Sequence, residues 1–134
     1  MASYTPTQEM ADNAAKALRI RESKPDSQKG MTPVGLARAR DLMNKRPLSE
    51  DTVRRMKAYF DRHEIDKQGS TWDEQGKGYQ AWLGWGGDAG RSWANRIVAM
   101  LNREQNRRHY PHDYNDTDDD KEYSRYMYKK TIKL

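Results

Sequence analysis

Three groups of residues in this sequence have the types and spacing to do chemistry. The first is the run WGGDAG at residues 85–90, flanked by Trp82 and Trp93. Free backbone amides at a helix start, with Arg91 adjacent, are the parts of a phosphate cradle. Yet Asp88 would compete for the same amides, and the run lacks the Gly-Lys-Ser/Thr ending of a nucleotide-binding loop. The structural reading is more direct. Gly86 and Gly87 reverse the chain through positive φ, and Asp88 then caps the following helix.

The second group is basic. Arg38, Arg40, Lys45, Arg46, Arg54, Arg55 and Lys57 gather within residues 33–63, read as helix, turn and helix. A nucleic-acid module presents such a patch, phosphate contacts supplying affinity and base contacts specificity. Asp41, Glu50, Asp51 and Asp61 are interleaved with these cations, so a solvated mixed-charge face is the competing reading. The third group is His109, His112, Asp113, Asp116 and Asp118 to Asp120. These side chains ligate metals, but here they sit in a polar segment without a rigid frame, so no built metal site is expected.

Elsewhere the reactive residue types have simpler uses. His63 ends a helix, where the dipole favours its charged form, and Ser49 is placed to cap rather than to attack. No Ser–His–Asp set and no carboxylate pair with apolar surroundings is legible, so neither an enzymatic reaction nor a cofactor is expected.

The elements that must position these groups read as helices. Thr5, Pro6 and Gln8 have the spacing of a capping box before a helix over residues 6–22, with a thin alanine-rich face at Met10, Ala14, Ala17 and Leu18. A Pro/Gly/Ser linker follows at 23–30. Thr32 and Pro33 open a second helix that Pro47 limits to about residue 44. Ser49, Glu50 and Asp51 open a third, to His63, with Val53, Met56, Tyr59 and Phe60 on its apolar stripe. After a polar loop, a short helix at about 79–84 carries Tyr79, Trp82 and Leu83. A last helix at 89–106 carries Trp93, Ile97, Met100 and Leu101.

The fold class that follows is all-α: a small bundle of helices 33–44, 50–63 and 89–106, plus the short tryptophan-bearing helix. Trp82, Trp85, Trp93, Phe60 and Ile97 are the expected core. The expected division is an N-terminal helix and linker at 1–30, a helical core domain at 31–106, and a Tyr/Asp-rich tail at 107–134. Four of the eight tyrosines, Tyr110, Tyr114, Tyr123 and Tyr126, lie between residues 110 and 126 of that tail and are candidates for docking on a partner.

Composition sets the bounds. Of 134 residues, 34% are hydrophobic and 34% charged, so a core forms only if the apolar residues are concentrated. The formal net charge of +5 favours acidic partners. Residues 1–108 hold 20 basic and 14 acidic residues, the remainder 5 and 6. There is no cysteine, which excludes disulfides and thiolate metal sites. No apolar run is long enough for a bilayer span or a secretory signal, so the expected setting is the host cytoplasm or a virion, without a membrane.

Three runs, VGLARARDL, VRRMKAYFDRHEIDKQG and AWLGWGGDAGRSWANR, together with their order, resemble a small domain of tailed-bacteriophage and prophage proteins. That domain occurs alone or attached to larger proteins, some linked with head-maturation proteases. The resemblance covers residues 32 to about 100. It implies a phage genome and a virion setting as context, and no reaction; no protease domain fits in this chain. The expected function is therefore a non-enzymatic interaction module whose partner is a virion component or assembly intermediate. The alternative is a nucleic-acid-binding accessory protein using residues 33–63. No heptad pattern argues for a coiled coil, and self-association stays open.

Overall fold

The computed structural model describes residues 2–109, and the chain divides into two units, Met1–Val98 and Ala99–Leu134. Five helices dominate: α1 (Gln8–Ser23), α2 (Pro33–Met43), α3 (Glu50–His63), α4 (Lys77–Gly84) and α5 (Gly87–His109). Short 3-10 turns lie at Asp26–Gln28 and Glu64–Gln68. The fold is all-α, apart from two two-residue strands, β1 (Ser3–Tyr4) and β2 (Leu48–Ser49). These pair antiparallel, Ser3 opposite Ser49 and Tyr4 opposite Leu48.

That small ladder changes how the first helix begins. The expected capping box at Thr5 does not form. Pairing of Ser3 and Tyr4 keeps the entering chain extended, Pro6 is buried before the helix, and Thr7 becomes the cap, accepting from the Met10 amide at 3.2 Å. Gln8 instead donates to Asp12. The other two starts follow the sequence. The Thr32 hydroxyl accepts from the Gly35 amide with Pro33 in the first turn, and Ser49 accepts from the Thr52 amide. Ahead of Pro47, α2 stops at Met43, and Lys45 takes a left-handed turn with φ 52°.

The N-terminal helix belongs to the core and does not stand ahead of it. Met10, Ala14 and Ala17 are fully buried, and α1 packs on both α2 and α4. Its alanines leave room for that approach, so a face that looks weak in sequence is a close contact surface in space. Leu42, Val53, Met56, Phe60, Trp82, Trp85, Trp93 and Val98 complete the core, with Ile97 packed against it partly buried. Each large side chain buried here contributes roughly 1.5–3 kcal/mol.

The loop between α3 and α4 is more ordered than its polarity suggests. Trp72 packs edge-to-face on Tyr79 at 5.2 Å and on Trp82 at 6.3 Å, pinning residues 69–76 to α4. Gln80 is fully buried and accepts from the Gly30 amide at 2.7 Å. It donates to the Gln28 and Gln75 carbonyls at 3.1 and 3.0 Å. One side chain thus ties the loop after α1 to the turn before α4, and α4 begins at Lys77, two residues earlier than expected.

Candidate functional site

The turn after α4 resolves as structure. Gly86 and Gly87 take φ 111° and 66°, the left-handed geometry that glycine adopts without a steric cost. The Gly86 carbonyl accepts from the Gly90 amide at 3.0 Å and from Asn13 Nδ2 at 2.8 Å, so α5 starts against α1. Asp88 lies inside the first turn and does not cap it. Its Oδ1 accepts from Lys67 Nζ at 2.7 Å and from Trp82 Nε1 at 2.9 Å. The Lys67 hydrogen bond, helped by that of Trp82, holds the carboxyl below its ordinary range against a smaller opposing effect of burial. Arg91 is paired with Glu64 at 2.9 Å. The parts of an anion cradle are therefore spent on a clasp joining α5, α4 and the Glu64–Gln68 turn.

The basic group of residues 38–57 is dispersed in the same way. Arg38 is turned inward, 14% exposed, paired with Asp41 at 2.8 Å and lying 5.8 Å from the Trp85 ring centroid. Arg46 shares Asp41, Arg54 meets Glu50, Arg55 meets Asp51 and Lys57 meets Asp61. Lys45 donates to Gln8 Oε1, and exposed Arg40 makes no ion pair among the described residues. The interleaved carboxylates noted in the sequence are the partners of these cations, mostly one helical turn away. The tail tyrosines Tyr110, Tyr114, Tyr123 and Tyr126, and the acidic run to Asp120, lie outside the described residues. Among the described residues no group of three metal-ligating side chains is assembled, and no helix is long and apolar enough to cross a membrane.

What the structure does assemble is a groove of about 690 Å³ between the segment before α2, the outer flank of α3 and the start of α4. Its floor is an aromatic stack. Tyr59 lies on Trp85 with centroids 4.5 Å apart and planes 9° from parallel, and His63 stacks on Tyr59 at 4.6 Å. Met31, held in a left-handed turn at φ 73°, and Ala81 form an apolar wall. Val34 at its edge is 59% exposed. His63 Nδ1 sits 3.0 Å from Asp66 Oδ2, the one carboxylate lining the groove among the described residues.

Tyr59 is the unusual member of this site. The residue is 6% exposed, and its hydroxyl is buried without a hydrogen-bond partner among the described residues. Burial, with a smaller contribution from Asp66, pushes the phenol above its ordinary range, partly offset by Arg62. The hydroxyl is thus kept protonated, a donor with nothing to donate to.

Sequence reasoning placed Tyr59 on the apolar stripe of α3 and did not find the groove. One signal was present: Arg55, Tyr59 and Arg62 fall at i, i+4 and i+7, which puts two cations beside an aromatic ring on one flank of α3. The opposite wall comes from residues about 25 positions before and 20 after, a juxtaposition that spacing does not encode.

No family model, curated protein or solved structure matches the chain.

Proposed function

We propose that this protein is a non-enzymatic helical interaction module encoded by a tailed bacteriophage, working by attachment to a virion component or an assembly intermediate. The groove carries this reading. A concave site with an aromatic floor, an apolar wall and a few convergent polar groups is the make-up of a surface that receives side chains from another molecule. The phage-like words in the sequence supply the setting: VGLARARDL, VRRMKAYFDRHEIDKQG and AWLGWGGDAGRSWANR run through α2, α3, α4 and α5, and the first three of these helices supply residues to the site.

A nucleic-acid role through residues 33–63 is the weaker reading. Phosphate binding draws on cations whose counterions leave into solution, whereas five of the seven candidates are held by carboxylates of the protein itself.

Quantitative mass spectrometry of purified particles and of assembly intermediates tests the proposal. The protein is expected in one of them at a constant ratio to a structural component. Absence from both, with normal expression in the infected cell, overturns it. A mixed-sequence DNA titration is expected to show no binding whose affinity falls steeply between about 50 and 200 mM salt.

A further inference from the structure

We infer that the groove receives an acidic peptide, its carboxylates drawn to Arg62 and Lys77 while an apolar side chain packs on the Met31 and Ala81 wall. This rests on the interaction reading and names the chemistry of the partner. Three observations carry it.

The first is position: Arg62 from α3 and Lys77 from α4 line the same groove, together with the apolar residues Met31, Val34 and Ala81.

The second is the distribution of charge. Four full cations line the groove, and two are committed. Lys29 Nζ donates to the Arg21, Lys24 and Glu22 carbonyls at the end of α1, and Arg55 is paired with Asp51. Arg62 on α3 and Lys77 on α4 make no ion pair among the described residues. Asp66, hydrogen-bonded to His63, is the single carboxylate among the described lining residues, so the cations outnumber it. Arg62 and Lys77 are left to meet an incoming carboxylate.

The third separates peptide from nucleic acid. A base stacks on an exposed ring face. Here Tyr59 and Trp85 cover one another, are 6% and 8% exposed, and offer no such platform. Val34, Met31 and Ala81 instead present aliphatic surface suited to a side chain.

The test uses the full chain and a short fluorescein-labelled peptide of alternating aspartate and leucine, read by anisotropy at low salt. Saturable binding is expected. Arg62→Glu/Lys77→Glu weakens it at least tenfold, and Tyr59→Phe, whose lost hydroxyl is out of a ligand's reach, leaves it unchanged. Arg40→Glu, away from the groove, leaves it unchanged, and all three variants keep the wild-type circular dichroism spectrum. The same peptide with asparagine for aspartate does not bind. No saturation by about 1 mM peptide, or binding indifferent to the Arg62/Lys77 exchange, overturns the proposal. So does a single-stranded oligonucleotide that binds more tightly through the same two cations. Such a failure leaves the interaction reading standing, because particle composition decides that reading separately.

Discussion

Trp85 and Tyr59 lie ring on ring, and through this contact the turn after α4 is fastened to the middle of α3. The stack extends to His63 at one end, while Phe60 meets Tyr59 edge-on at 5.3 Å and Trp82 at 4.9 Å. In a chain with one phenylalanine and few aliphatic residues, these rings form the continuous part of the core and also the floor of the groove.

Removing Trp85 therefore strikes stability and site together. Trp85→Ala is expected to cost about 3–5 kcal/mol, a large share of the roughly 5–15 kcal/mol that holds a domain folded. Urea unfolding followed by circular dichroism measures it. Trp85→Phe, which keeps a stacked ring, is expected to lose less than half as much.

Tyr59→Phe tests the orphan hydroxyl from the other side. Deleting a buried donor that has no partner is expected to leave the fold as stable or to stabilise it by about 1 kcal/mol. The pH dependence has a definite sign. The folded phenol is raised above its ordinary value of 10.0, so the unfolded chain ionises first. The contribution is complete below about pH 10 and is lost as pH rises beyond it. The wild type is expected to lose more stability above pH 10 than Tyr59→Phe does, the difference between the two curves isolating this residue from the other tyrosines.

Asp88 has the opposite sign. Its carboxyl is held below 3.8 in the fold, so its contribution is present above that value and is lost as pH falls through the folded pKa. The side chain is 73% exposed, and solvent screening keeps the effect small, at most about 1 kcal/mol. A double-mutant cycle of Lys67→Met and Asp88→Asn is expected to give a coupling of that size which shrinks with added salt. A coupling above about 2 kcal/mol contradicts this picture.

Gln80→Leu removes the side chain that joins two loops. It leaves the Gly30 amide and the Gln28 and Gln75 carbonyls without their partner, at an expected cost of about 3 kcal/mol. Hydrogen exchange is expected to accelerate at residues 28–31 and 75–78 before the rest of the unit opens.

Gly90→Ala probes the close approach at the start of α5. An added Cβ would lie 2.7 Å from the Trp85 carbonyl oxygen and 3.3 Å from Phe60 Cζ, neither of which can swing away. Overpacking of this kind is expected to cost about 1–3 kcal/mol, read as a lowered thermal midpoint.

Local rules were enough for most of the framework. Thr32–Pro33 and Ser49 cap α2 and α3 where their types and spacing say, because an N-cap depends only on residues within one turn. The spacing of Val53, Met56 and Phe60 marks the buried stripe of α3, and Gly86–Gly87 mark the reversal, since periodicity and positive φ are properties of short windows. The all-α class and a tryptophan-centred core follow from the same signals.

What the residues do to one another across the fold was decided only in three dimensions. Thr5 lost the cap to Thr7 because a strand 44 residues later holds Tyr4 extended. Asp88 turned from the helix amides to Lys67 and Trp82, partners brought close by folding and not by spacing. The thin alanine face of α1 became an interior surface once α2 and α4 lay against it. The groove, with an orphan hydroxyl on one helix and an unpaired cation on another, exists only where separate segments meet. A sequence lists donors and charges but leaves unstated which of them packing will satisfy.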